Sequence, residues 1–151
     1  MKLCKSLALP SVFLWIGFVC AISFMEAWLK FRAPGVTLPI GLGIGRLVFQ
    51  ALNKMEWIFA VTILIRFIVD HPIKINQSIV SFGSAFLILL IQTVWILPTL
   101  DYRAELQIQG LTGPHSNMHF YYIGFEILKV ASLLILGIIF MQQVRFENSH
   151  K

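Results

Sequence analysis

Residues 75–100 carry no charged side chain; between their apolar residues lie only amides, hydroxyls, Gly83 and Pro98. As a helix rising 1.5 Å per residue, such a run reaches across the roughly 30 Å hydrocarbon core of a bilayer. The whole chain agrees with this reading. Of its 151 residues 58% are hydrophobic and only 13% charged, with a mean hydropathy of +0.80, values of a polytopic membrane protein and not of a soluble domain this small. The expectation is one all-α domain, an integral membrane four-helix bundle with spans near residues 8–31, 46–69, 75–98 and 118–141.

The first span follows Lys2 and Lys5 and extends past Glu26 through Ala27, Trp28 and Leu29. A cleaved signal peptide ending at Val19-Cys20-Ala21 is the competing reading, but the apolar run is longer than a typical signal core. Trp28, Lys30 and Arg32 read as an interfacial anchor, with Glu26 a helical turn away as partner for Lys30. Ala33-Pro34-Gly35 is a turn, and Thr37-Leu38-Pro39 starts a helix with proline in its first turn. That second helix, residues 40–69, would be about 45 Å long and so needs an amphipathic lead-in. Its polar stripe is Arg46, Gln50, Asn53 and Trp57, and Gly41 and Gly45 form a small-xxx-small seat for a neighbour. Glu56 and Arg66 bracket nine uncharged residues, too few to span, so Glu56 is placed at membrane depth or in a pair while Arg66 reaches toward Asp70-His71-Pro72. The short segment 70–76 makes spans two and three an antiparallel hairpin. Pro98 ends or kinks the third span, with Trp95 and Tyr102 at the interface. Residues 101–117 form the one sizeable hydrophilic stretch, broken by Gly110, Gly113 and Pro114 and capped by Ser116 or Asn117. The tail from Gln142 is expected to fray.

In the last span His119, Tyr122, Glu126 and Lys129 stand at i, i+3, i+7 and i+10, one stripe of a helix otherwise made of Ile, Leu, Val, Phe and Gly. A charge at the bilayer centre costs on the order of 3 kcal/mol, so the stripe should face other helices or a polar cavity. Glu126 and Lys129, three apart, can pair. With Glu56 and the deep amide Gln92 these are the candidate pocket residues, in a polar cluster between helices two, three and four.

Several functions are excluded. The surplus of five positive charges is scattered, so no nucleic-acid partner is expected. Cys4 and Cys20 lie too far apart on one helix to bridge, and no CxxC is present. Gly41, Gly43 and Gly45 follow no strand and precede no Gly-Lys-Ser/Thr, so they are no phosphate loop. His115 and His119 are separated by a turn and cap, which disfavours a shared metal; no metal and no particular cofactor is assigned. HExxH and GxSxG motifs are missing, as is a clustered Asp motif.

Helix two, approached through Leu42-Gly43-Ile44-Gly45 and Arg46-Leu47-Val48-Phe49, then Leu97-Pro98-x-Leu100 at the end of span three and His119 opening span four, resemble small four-span membrane families that include anthrone-oxygenase-like proteins. The resemblance implies a four-helix bundle; Glu126 departs from it, standing where a small amide would be unsurprising.

Three functions are open to such a chain. The favoured one binds or moves a proton, ion or small ligand at the polar cluster. One copy has little room for an alternating-access path, so this reading brings a homo-oligomer or a membrane-complex partner besides the lipid bilayer. In the second the charges only fix helix register, as in an accessory subunit. The third is a membrane-embedded, oxidoreductase-like enzyme with His119 as acid/base and Glu126 orienting or ligating. Lys2, Lys5, Lys74, Arg145 and Lys151 against Lys30, Arg32 and Arg103 favour both termini in the cytoplasm, in a plasma or bacterial inner membrane.

Overall fold

The computed structural model describes residues 2–69, 77–111 and 118–149, and these form four helices. Helix α1 begins as Lys2–Val19 and runs on through a π-helical stretch, Cys20–Glu26, the turn Ala27–Leu29 and a closing 3-10 turn, Lys30–Arg32. Helix α2 is Leu38–Val69. Helix α3 comprises Gln77–Ile91, a π-helical stretch Gln92–Ile96 and Leu97–Ile108, and α4 is Met118–Ser149. The expected turn at 70–76, the His115 position and the Ser116 or Asn117 cap lie outside the described residues, as do Lys74 and the side chains of Cys4, Lys2 and Lys5; Cys20 is free and exposed.

Local chemistry sets the joints. Between α1 and α2 the amide of Val36 donates to the Ala33 carbonyl at 3.2 Å, with Gly35 at φ +82°. Pro34 then Gly35 is what a type II turn requires, since its third residue has positive φ. Pro39 sits in the first turn of α2, where its missing N–H costs nothing. Helix α3 closes on Gly110, φ +75°, with the Leu111 amide on the Leu106 carbonyl and the Gly110 amide on that of Gln107, the two bonds of a Schellman cap.

Pro98 neither ends nor breaks α3, which continues to Ile108, beyond the expected limit near residue 98. A proline ring collides with the carbonyl four residues back, and the helix widens into its π form over Gln92–Ile96 to make room. Helix α4 likewise passes the expected end at 141, held in part by Gln143, whose Oε1 accepts from Arg66 Nη2 at 2.8 Å.

The helices enclose one core. Helix α1 packs on α2 and α4, and α3 packs on α4 and, along Leu97–Ile108, on α2. Tyr122, Glu126, Lys129, Leu133, Leu136 and Phe140 of α4 are all buried and spaced alternately by four and three, the inward seam of a bundle. Ala8, Val12, Trp15 and Val19 meet them from α1, Leu52, Phe59, Ala60 and Ile63 from α2, and Phe82, Ala85 and Leu89 from α3. The outer surface is also apolar: Leu47, Val80, Val94 and Phe120 are each more than 60% exposed. An apolar exterior around an equally apolar interior suits lipid and not water. The helical segments Leu7–Arg32, Gln77–Ile108 and Met118–Phe146 are long and apolar enough to cross a membrane.

Candidate functional site

The stripe of α4 turns inward, and it brings two acids and one base together where no solvent reaches. The Lys129 ammonium donates to Glu56 Oε1 of α2 and lies 3.2 Å from Glu126 Oε2. Lys129 and Glu126 are wholly buried and Glu56 is 2% exposed. From α1, Trp15 Nε1 donates to the same Glu56 oxygen at 2.8 Å. Neither Glu126 oxygen has a donor in hydrogen-bonding geometry among the described residues. One turn earlier on the same face, the Tyr122 hydroxyl meets Ser23 of α1 at 3.3 Å and is close enough to interact with the Glu126 carboxylate.

The cluster therefore lies between α1, α2 and α4, and not between α2, α3 and α4 as the sequence suggested. Gln92, the α3 candidate, is 1% exposed, yet neither its amide nitrogen nor its oxygen is hydrogen-bonded among the described residues. The Asp70-His71-Pro72 segment toward which Arg66 was expected to reach lies outside the described residues. Arg66 is buried, bonded to Gln143 and stacked 3.7 Å from the centroid of Phe140, so it does not partner Glu56.

A cavity of about 470 Å³ opens at the end of the bundle where α1 joins α2. Ala27, Lys30 and Phe31 of α1, Gly41 to Phe49 along one face of α2, Leu97 to Gln107 of α3, and Met118, His119 and Tyr122 of α4 line it. Tyr122 thus has the cavity on one side and Glu126 on the other, with Phe49 edge-on at 5.3 Å between ring centroids. His119 is exposed at this rim and within electrostatic reach of Lys30, and Glu126 does not line the cavity. Hence the histidine and the carboxylate do not form one acid/base pair.

Lys30, expected with Trp28 and Arg32 at the interface, lines the cavity. Its side chain is 9% exposed, paired with Glu26 at 3.2 Å as the spacing implied, and its ammonium lies 5.5 Å and 5.4 Å from the centroids of Phe31 and Phe49. Gly41 and Gly45 seat this turn: a Cβ at Gly41 would fall 2.1 Å from the Phe31 ring, and one at Gly45 2.7 Å from Lys30 Nζ. The polar stripe of α2 zips onto α3. Arg46 pairs with Glu105 and lies 3.8 Å from Asp101, Gln50 donates to Asp101 at 2.7 Å, and Asn53 and Trp57 both donate to Thr93.

Trp15 and Ser23 were hidden inside the first span. A tryptophan in mid-run was the available signal, because its N–H needs an acceptor when buried and tryptophans of membrane spans otherwise favour the interface.

Fold and site together define a class: an all-α four-helix bundle with membrane-length apolar helices and ionisable groups in its interior. No protein-family model, no curated protein and no solved structure matches the chain.

Proposed function

We propose that this is a four-span integral membrane protein that takes up and releases a proton at Glu56, Glu126 and Lys129, and through that proton binds or moves a small ligand or ion. The observation that carries the reading is the count of charges in the cluster: two carboxylates face one ammonium. With all three ionised the interior would hold a lone negative charge, and an uncompensated charge inside a protein costs several kcal/mol. One proton on either carboxylate removes that cost. A register lock needs a single acid for Lys129; the second acid beside the same ammonium is the group that a proton can neutralise. Tyr122 offers the path, being the side chain that touches both the cavity and Glu126. Helix α2 supports the fourth span, since Ile58, Val61, Leu64, Ile65 and Ile68 form an exposed apolar face on its second half.

Infrared difference spectroscopy on protein in nanodiscs tests this. The wild type is expected to show the absorption of a protonated carboxyl near neutral pH, and Glu126→Gln to lose it. The loss follows whichever oxygen carries the proton, because Glu56 and Lys129 are then balanced. Absence of the band from the wild type, or its persistence in the variant, would sink the reading. One arrangement favours the structural alternative, an accessory subunit: Trp15, Glu56 and Lys129 tie three helices together. There Glu126→Gln would lower stability and leave the carboxyl spectrum unchanged.

A further inference from the structure

The cavity has a chemistry of its own. Three cations, Lys30, Arg46 and Arg103, line it against one carboxylate, Asp101. The other acids of these pairs, Glu26 on Lys30 and Glu105 on Arg46, do not line it. The wall thus presents three cationic heads, two of which, Lys30 and Arg46, are also ion-paired with acids outside the lining. An ammonium has three N–H donors, and Lys30 gives one to Glu26. Apart from Gln107, His119 and Tyr122, the remainder of the lining is apolar or glycine, with Phe31, Phe49, Leu97 and Leu100 among it. Its volume lies within the range of about 300–1,000 Å³ typical of small-molecule sites.

We propose that this cavity binds an amphiphilic acid, its carboxylate or phosphate head among Lys30, Arg46 and Arg103 and its apolar body against Phe31, Phe49 and Leu100. A carboxylate or phosphate suits this wall because guanidinium groups engage such planar or tetrahedral oxyanions through two N–H donors at once. Free inorganic anions satisfy the cations but leave the aromatic wall bare, and neutral apolar molecules do the reverse. The site asks for both parts in one molecule. The inference goes beyond proton exchange at Glu126 and does not depend on it, because none of the three clustered charges lines the cavity.

The test is ligand-induced thermal stabilisation of the full chain in nanodiscs of zwitterionic lipid, titrated with 2-naphthoate, 2-naphthyl phosphate, 2-naphthol and inorganic phosphate. At least one naphthyl acid is expected to bind tenfold or more tightly than both naphthol and inorganic phosphate, and the tighter acid assigns the head group. Lys30→Gln and Arg103→Gln should each weaken that acid tenfold or more with naphthol unchanged. Should these two variants fail to fold, Leu100→Trp, which fills the cavity without altering charge, is expected to remove acid binding. Equal binding of acid and naphthol, no binding of either acid, or acid binding unaltered in a folded charge variant or in Leu100→Trp would overturn the proposal.

Discussion

Lys129 holds the cluster together, and its removal is the severest single change at the residue scale. It is the counter-charge to two carboxylates that water does not reach. Breaking a buried ion pair from one side costs about 3–5 kcal/mol, because a charge is left behind. Lys129→Met is therefore expected to destabilise the protein by about that much in thermal unfolding in mild detergent. The triple change Lys129→Met, Glu56→Gln and Glu126→Gln should recover most of the loss; a triple variant as unstable as the single one would mean that packing of the lysine stem, not charge, sets the cost. Much of this cluster was legible. The arithmetic of 3.6 residues per turn places Tyr122, Glu126 and Lys129 on one face, and nine uncharged residues were too few to let both Glu56 and Arg66 escape to the surface. Which partner each would meet was not legible. Glu56 and Lys129 are 73 residues apart, and it is the packing of α1 on both α2 and α4 that brings them together.

At the scale of the element, close approach competes with helix propensity. Lipid tails are as apolar as the core, so helices associate in a bilayer through close packing and a few interhelical hydrogen bonds, each worth about 0.6 kcal/mol on average. The α2–α3 zipper and the Ser84 to Ser132 bond at 2.9 Å are such contacts. Glycines show where backbones need room. A Cβ at Gly137 of α4 would stand 3.0 Å from Phe13 of α1, whereas one at Gly83 of α3 meets nothing within 4 Å. Alanine gains up to about 1 kcal/mol over glycine inside a helix. Gly83→Ala is accordingly expected to raise the unfolding temperature, while Gly137→Ala, which must push the Phe13 ring aside, gives no gain or a loss. A clear gain at Gly137 would show that the α1–α4 contact is loose. Sequence patterning foresaw the Pro34-Gly35 turn, because that dipeptide admits few conformations. It left open whether Pro98 ends or kinks its helix, because that depends on the neighbours that hold the continuing turn, here Arg46 and Gln50 gripping Glu105 and Asp101.

For the whole molecule, the remaining choice is which end of the bundle faces the cytoplasm. Helix α1 ends and α2 begins at the cavity, and the bundle is antiparallel, so both termini lie at the other end. Arg46 lies at the cavity end as well. That narrows the difference in charge between the two ends, but it does not reverse it, since Lys30 and Arg46 are spent on Glu26 and Glu105 and line a cavity instead of facing lipid head groups. Positive residues near the ends of spans mark the cytoplasmic side. We therefore propose that the termini are cytoplasmic and that the cavity opens to the opposite face. A cysteine placed at Thr37, in a chain whose Cys4 and Cys20 have been replaced by alanine, should react with a membrane-impermeant maleimide in intact cells, whereas one placed at Arg145 should react only after permeabilisation. The reverse pattern would turn the bundle over and put the cavity in the cytoplasm, so that any acid it binds would come from within the cell.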